Sequence, residues 1–73
     1  MTDEERIASY RAERDKALVM VRDIDEGKFR LFKAVGNEDM RDVTEEIRAD
    51  HQRMADMMEA LAVTWELQIA QRP

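Results

Sequence analysis

The chain has no cysteine, one proline, two glycines, one serine and one histidine among its 73 residues. Each scarcity excludes something. Without cysteine there is no disulfide and no thiolate zinc site, and a single histidine cannot complete a multi-histidine metal centre within one chain. Few glycines and prolines mean few breaks, so the elements should be long. No uninterrupted apolar run approaches the roughly 20 residues that span a bilayer. The opening "MTDEERIASY" also lacks a basic region followed by an apolar stretch. A cytoplasmic chain without a membrane segment is expected.

Charged residues make up 40% of the chain and hydrophobic ones 44%, the composition of long amphipathic helices rather than of a disordered tail. The net charge of −5 is unevenly placed. Residues 1–35 carry eight acids and eight bases, and residues 36–73 carry nine acids and four bases. An acidic second half argues against general affinity for nucleic acid, which is normally gripped by a basic face that releases counterions.

Thr2 and Glu5 have the spacing of a capping box, which starts a helix near Asp3. In "VGNED", residues 35–39, Gly36 suits the left-handed end of one helix and Asn37 suits the cap of the next. The predicted fold is all-α: an antiparallel two-helix hairpin with helices over about 3–35 and 38–71 and a loop near 35–38. It forms a single domain over 1–73. The stripe of the first helix runs through Ile7, Tyr10, Arg14, Ala17, Val21, Ile24, Lys28 and Leu31 to Val35, widened by Leu18 and Phe32. The second stripe is Met40, Val43, Ile47, His51, Met54, Met58, Leu61, Trp65 and Ile69, flanked by Met57 and Ala62.

Gly27 lies inside the first helix on this reading, although an interior glycine costs about 1 kcal/mol relative to alanine. The alternative is a break there, leaving "KFRLFKAV" as a short helix or, since Phe29, Leu31 and Val35 alternate, a strand. The continuous helix is favoured because a lone strand needs a partner.

With the loop centred near residue 36, facing residues have numbers summing to about 73. That places Arg14 near Glu59, Lys28 near Glu45 and Glu46, and Tyr10 near Val63 and Trp65. A two-helix layer cannot remove both stripes from water. A homodimeric four-helix bundle is the expected remedy, with a different protein supplying the missing helices as the competitor.

Chemistry is sparse. Ser9 and His51 fall far apart in a hairpin, so an enzyme is not expected. His51 with Met54 or Met58 offers soft ligands for copper or haem iron, but no Glu-x-x-His pair is present, since Arg48 stands three before His51. No cofactor or metal is expected, and His51 should edge the seam, bonded to Asp50, Asp25 or a partner chain. The methionines are polarizable and adaptable, and Trp65 is of a type that dominates interfaces. The function expected is therefore a non-enzymatic protein-interaction module, a small adaptor, regulator or inhibitor acting as a homodimer. Its candidate contact residues are Tyr10, Val21, Ile24, Leu31, Phe32, Met54, Met57, Met58, Leu61 and Trp65, with any protein partner placed on the Met54–Trp65 face. The alternatives are a nucleic-acid regulator using Lys28, Arg30 and Lys33, and a metal- or haem-binding bundle using His51 and nearby methionines. In length, equal helices and charge-rich heptads the chain resembles small bacterial helical-hairpin proteins, plasmid copy-control dimers among them. That likeness is architectural, and a compact accessory of bacterial or phage origin suits the length.

Overall fold

Thr2 opens the first helix as its spacing with Glu5 predicts: its hydroxyl oxygen accepts the Glu5 N–H at 3.1 Å and donates to the Glu5 carboxylate at 3.2 Å. The carboxylate thus returns to the hydroxyl instead of the backbone N–H of the usual box. The structure, a computed structural model, describes residues 1–34, 36 and 39–73. The helix α1 spans Asp3–Asp25, the strands β1 and β2 span Phe32–Ala34 and Met40–Asp42, and the helix α2 spans Thr44–Ala70. No helix among the described residues is long and apolar enough to cross a membrane.

The first correction to the sequence reading is the end of α1, which stops at Asp25 rather than near residue 35. Gly27 takes φ +73°. Around it the Gly27 N–H donates to the Ile24 carbonyl and the Lys28 N–H to the Asp23 carbonyl, both at 3.0 Å. This is a Schellman closure, which satisfies helix-end carbonyls through one left-handed residue. Lys28 also reaches Asp23 at 3.3 Å and Glu26 at 3.2 Å, so its charge sits at this turn and not opposite Glu45 and Glu46.

The chain then runs extended, and the second correction follows. The segment "KFRLFKAV" contributes a strand, whose partner comes from residues expected to open the second helix. The register is antiparallel, Phe32 opposite Asp42, Lys33 opposite Arg41 and Ala34 opposite Met40. The architecture is therefore two helices with a small two-stranded sheet at their joined end, and α2 begins at Thr44, six residues later than the reading near 38. Gly36, expected at a helix end, lies in the connection between the strands with φ +64°. The expected helical end at Val35, the cap at Asn37 and the first-turn Glu38 lie outside the described residues.

What starts α2 is a junction absent from the sequence reading. Val43 at the cap position makes no side-chain cap bond. Instead Asp42 Oδ1 accepts the Thr44 N–H at 2.9 Å and the Thr44 hydroxyl at 2.6 Å. Aspartate is suited to this, because its short carboxylate reaches the backbone two residues on. The Thr44 oxygen accepts the Leu31 N–H at 2.8 Å, and the Val43 N–H donates to the Leu31 carbonyl at 2.9 Å. Asp42 Oδ2 receives Arg30 through two nitrogens, at 2.9 and 2.6 Å. Thr44 is 1% exposed and is the largest fully buried side chain among the described residues. One carboxylate and one hydroxyl thus tie the residues before β1 to the start of α2.

The buried hydrophobic set is small: Ala17, Val21, Ile24, Val43, Ala55 and Ala62. On α1 it follows the expected stripe. On α2 it does not, because Ala55 and Ala62 are buried while Met54 is 43% exposed and Met58, Leu61 and Trp65 are half-buried. Alanines at the contact let two helices approach closely, since interaxial distance follows side-chain size. Met54, Met58, Leu61 and Trp65 are left to one side of that contact, and Val63 and Leu67, 40% and 56% exposed, to the other. The resulting molecule measures 60 × 26 × 18 Å, with a radius of gyration of 16.8 Å. A compact chain of this length would have about 11 Å.

Two outcomes test the junction. Thr44→Val keeps the shape but leaves the Leu31 N–H without its acceptor, and should cost about 1–3 kcal/mol in urea unfolding. The Thr44 hydroxyl, then the Thr44 N–H, then Arg30 push the Asp42 carboxyl down to about 2, below its ordinary 3.8. Because the folded-state value is the lower one, this contribution is complete above the unfolded value and lost as pH falls toward 2. Circular-dichroism melts should show a midpoint that drops on acidification through that window, with a shallower drop in Asp42→Asn.

Candidate functional site: an uncharged face of the second helix

The two sides of the hairpin differ in chemistry, and the difference follows from helical spacing around Ala55 and Ala62. Residues 48, 52, 59 and 66 fall on one side of that contact line, and residues 47, 51, 54, 58, 61 and 65 on the other. The first side is ionic. Arg11 forms a two-pronged bond to Glu66 at 2.7 and 2.9 Å and approaches Glu59 at 3.5 Å. Arg14 meets Glu59 at 2.5 Å and its neighbour Asp15 at 2.8 Å. Arg48 meets Asp25 at 2.5 and 2.9 Å. The Arg14–Glu59 and Arg48–Asp25 pairs each sum to 73, the register the sequence predicts.

These arginines set the electrostatics of that side. Bonds from Arg14 and then Arg11 hold the Glu59 carboxyl below its ordinary range, Arg11 does the same for Glu66, and Arg48 for Asp25. Reciprocally, Arg11 is held charged by Glu66 and Glu59, and Arg14 by Asp15 and Glu59. Each pair is at least partly exposed to solvent, so they contribute more to register than to stability.

The other side is apolar and leads to the outer surface of α2. From Met54 to Gln71 the only formal charges are Asp56, Glu59 and Glu66. Helical spacing sets all three on the ionic side, and α1 arginines hold two of them. On the apolar side lie the exposed Met54 and Met57 and the half-buried Met58, Leu61, Trp65 and Ile69, none of them charged in a chain that is 40% charged. Met57 is 49% exposed. The Arg6 guanidinium lies 4.4 Å from the centre of the Trp65 ring, a cation–π contact that caps the end of this stripe.

Between the helices on the same side is an open groove of about 330 Å³, lined by Ala17, Met20, His51 and Met54 together with the charged Glu13, Lys16 and Asp50. His51 does not bond Asp50 or Asp25 as expected. Its Nδ1 lies 2.9 Å from the Ile47 carbonyl, and since a carbonyl only accepts, Nδ1 carries the proton. Asp50 is taken by Arg53 and Asp25 by Arg48. Among the described residues no three His, Asp or Glu groups converge as metal ligands would.

The remaining candidate residues divide by place. Val21 and Ile24 are interior, Tyr10 is half-buried on α1, Leu31 belongs to the junction, and Phe32 is 54% exposed on β1. The hairpin thus separates Leu31 and Phe32 from the methionine face instead of extending it. In the basic segment Lys28 pairs with Asp23 and Glu26, Arg30 pairs with Asp42, and Lys33 stands across from Arg41. Two features escaped the sequence reading: the Asp42–Thr44 junction and the cation over Trp65. The Asp-x-Thr spacing before a helix was a signal for the first, and the hairpin register, with 6 and 65 summing to 71, was one for the second.

No family model, curated protein or solved structure matches the chain.

Truncating Arg6 to alanine uncovers one face of the indole. Trp65 is the only tryptophan, so its emission should move to longer wavelength, with a stability loss below about 1 kcal/mol. An unchanged spectrum would mean that the cation does not cover the ring.

Proposed function

We propose that this chain is a non-enzymatic protein-interaction module, whose contact surface is the uncharged outer face of α2 from Met54 to Ile69. The observation that carries the reading is the segregation of charge: every acid of that segment lies on the side of the α1 arginines. Contiguous apolar surface rimmed by polar groups is the form that protein contact sites take, and scattered single apolar residues are not. Methionine and tryptophan fit the role, one by adaptability and the other by large buried area. A small adaptor, regulator or inhibitor is the role we propose for such a surface.

The basic segment makes a poorer surface for nucleic acid. Binding there requires cations free to replace counterions, and Lys28 and Arg30 are already engaged by acids of this chain. The sheet they flank is only three residues wide on each strand.

The native methionines supply the test. Met1 and Met40, at the N-terminus and on β2, are 84% and 60% exposed, whereas Met54 and Met57 on the face are 43% and 49% exposed. Dilute peroxide converts accessible methionine to the sulfoxide. In cell extract or at high protein concentration, Met54 and Met57 should oxidise several-fold more slowly than in dilute pure protein, with Met1 and Met40 unchanged. Equal rates for all four under every condition would overturn the reading.

A further inference from the structure

The occupant of the α2 face is the next question, and the exposed area bears on it. A compact monomer of 8.6 kDa exposes about 4,700 Å² by the scaling of surface with mass. This chain exposes 5525 Å². The excess, about 800 Å², is the area that one partner contributes to a standard stable interface. The surplus comes with the elongated shape, 60 Å long and 18 Å thick, which is one layer of helices lacking a second.

Charge decides which partner fits. With a net charge of −5, two copies of this chain repel over most of their surfaces. The α2 face is where that obstacle is least, since the acids from Met54 to Gln71, namely Asp56, Glu59 and Glu66, lie on the ionic side. Arg6 over Trp65 is a charge at this face, and in a two-fold pairing each copy meets the other through the same patch. The stripe is also balanced about its middle: Ile47 and Ile69 bound it, and Met58 lies midway between them.

On the reading of this face as a contact surface, we infer that a second copy of the chain covers it. The two α2 helices pack against each other across a two-fold axis near Met58, and α1 forms the outer layer on each side. The interior of the resulting four-helix arrangement takes Met54, Met58, Leu61 and Trp65 from both copies. The arginine–carboxylate pairs stay on the outside, where solvent already reaches them.

The experiment is sedimentation equilibrium at micromolar concentration on the intact chain and three variants. The wild type should sediment at twice 8.6 kDa. Met58→Glu places like charges across the axis and should raise the dimer dissociation constant at least about 30-fold. Val63→Lys, on the ionic side and 40% exposed, should remain dimeric. Met58→Glu and Met58→Lys, each weakened alone, should form a one-to-one complex when mixed, which keeps the test decisive even if Met58→Glu does not fold by itself. A wild type that is folded yet monomeric would remove the second copy as occupant, leaving the contact surface itself to the peroxide experiment. A dimer that survives Met58→Glu, or a mixture of the two charge variants that fails to associate, would place the axis elsewhere and overturn the inference.

Discussion

The carboxylate of Asp42 is the point on which the rest of the arrangement depends. It accepts two bonds from Thr44 on one oxygen and two from Arg30 on the other, while the Thr44 oxygen takes the Leu31 N–H. Without it the Thr44 hydroxyl and the backbone N–H groups at the helix start would be left with fewer partners, a costly condition where Thr44 is buried. The junction fixes where α2 begins and the direction in which it leaves the sheet. Because α1 is closed by its own turn at Gly27, the sheet and this junction together determine how the two helices lie against each other. The ion pairs along the hairpin then select the register that the junction permits.

The contact between the helices is made by alanine, and that choice shapes the surface. Ala17, Ala55 and Ala62 bury little area, so the interior of one chain is thin. The large apolar side chains of α2 stand beside the contact instead of in it. Arginines of α1 and glutamates of α2 occupy the opposite side. One helix therefore presents an ionic edge to its own partner helix and an uncharged edge to whatever comes next. Small residues inside the contact leave larger ones at its margin.

Much of this was legible in the sequence. Thr2 and Glu5 marked the start of α1, the numbering rule placed Arg14 at Glu59, and the spacing of Met54, Met58, Leu61 and Trp65 put them on one stripe. Other parts were not. Gly27 looked like an exposed interior glycine because periodicity continued through Lys28 and Leu31, but a left-handed residue closing two carbonyls ends a helix whatever pattern follows. The strand was discounted for want of a partner, and the partner was hidden in Met40–Asp42, which shares its apolar residue with a helical pattern. The rotation of the α2 seam from the methionines to the alanines was invisible because hydrophobic periodicity weights large side chains, while close packing selects small ones.

By itself, then, the sequence determined a cysteine-free pair of amphipathic helices, their antiparallel register and a stripe too broad for one layer to bury, because these depend on residue type and spacing along a helix. The tertiary structure alone decided where α1 stops, that a two-stranded sheet joins the helices, and which edge of α2 is turned outward. Those outcomes rest on contacts between residues far apart in the chain, such as Leu31 with Thr44 and Arg11 with Glu66, and no local pattern records which distant group will supply the missing hydrogen bond or the opposing charge.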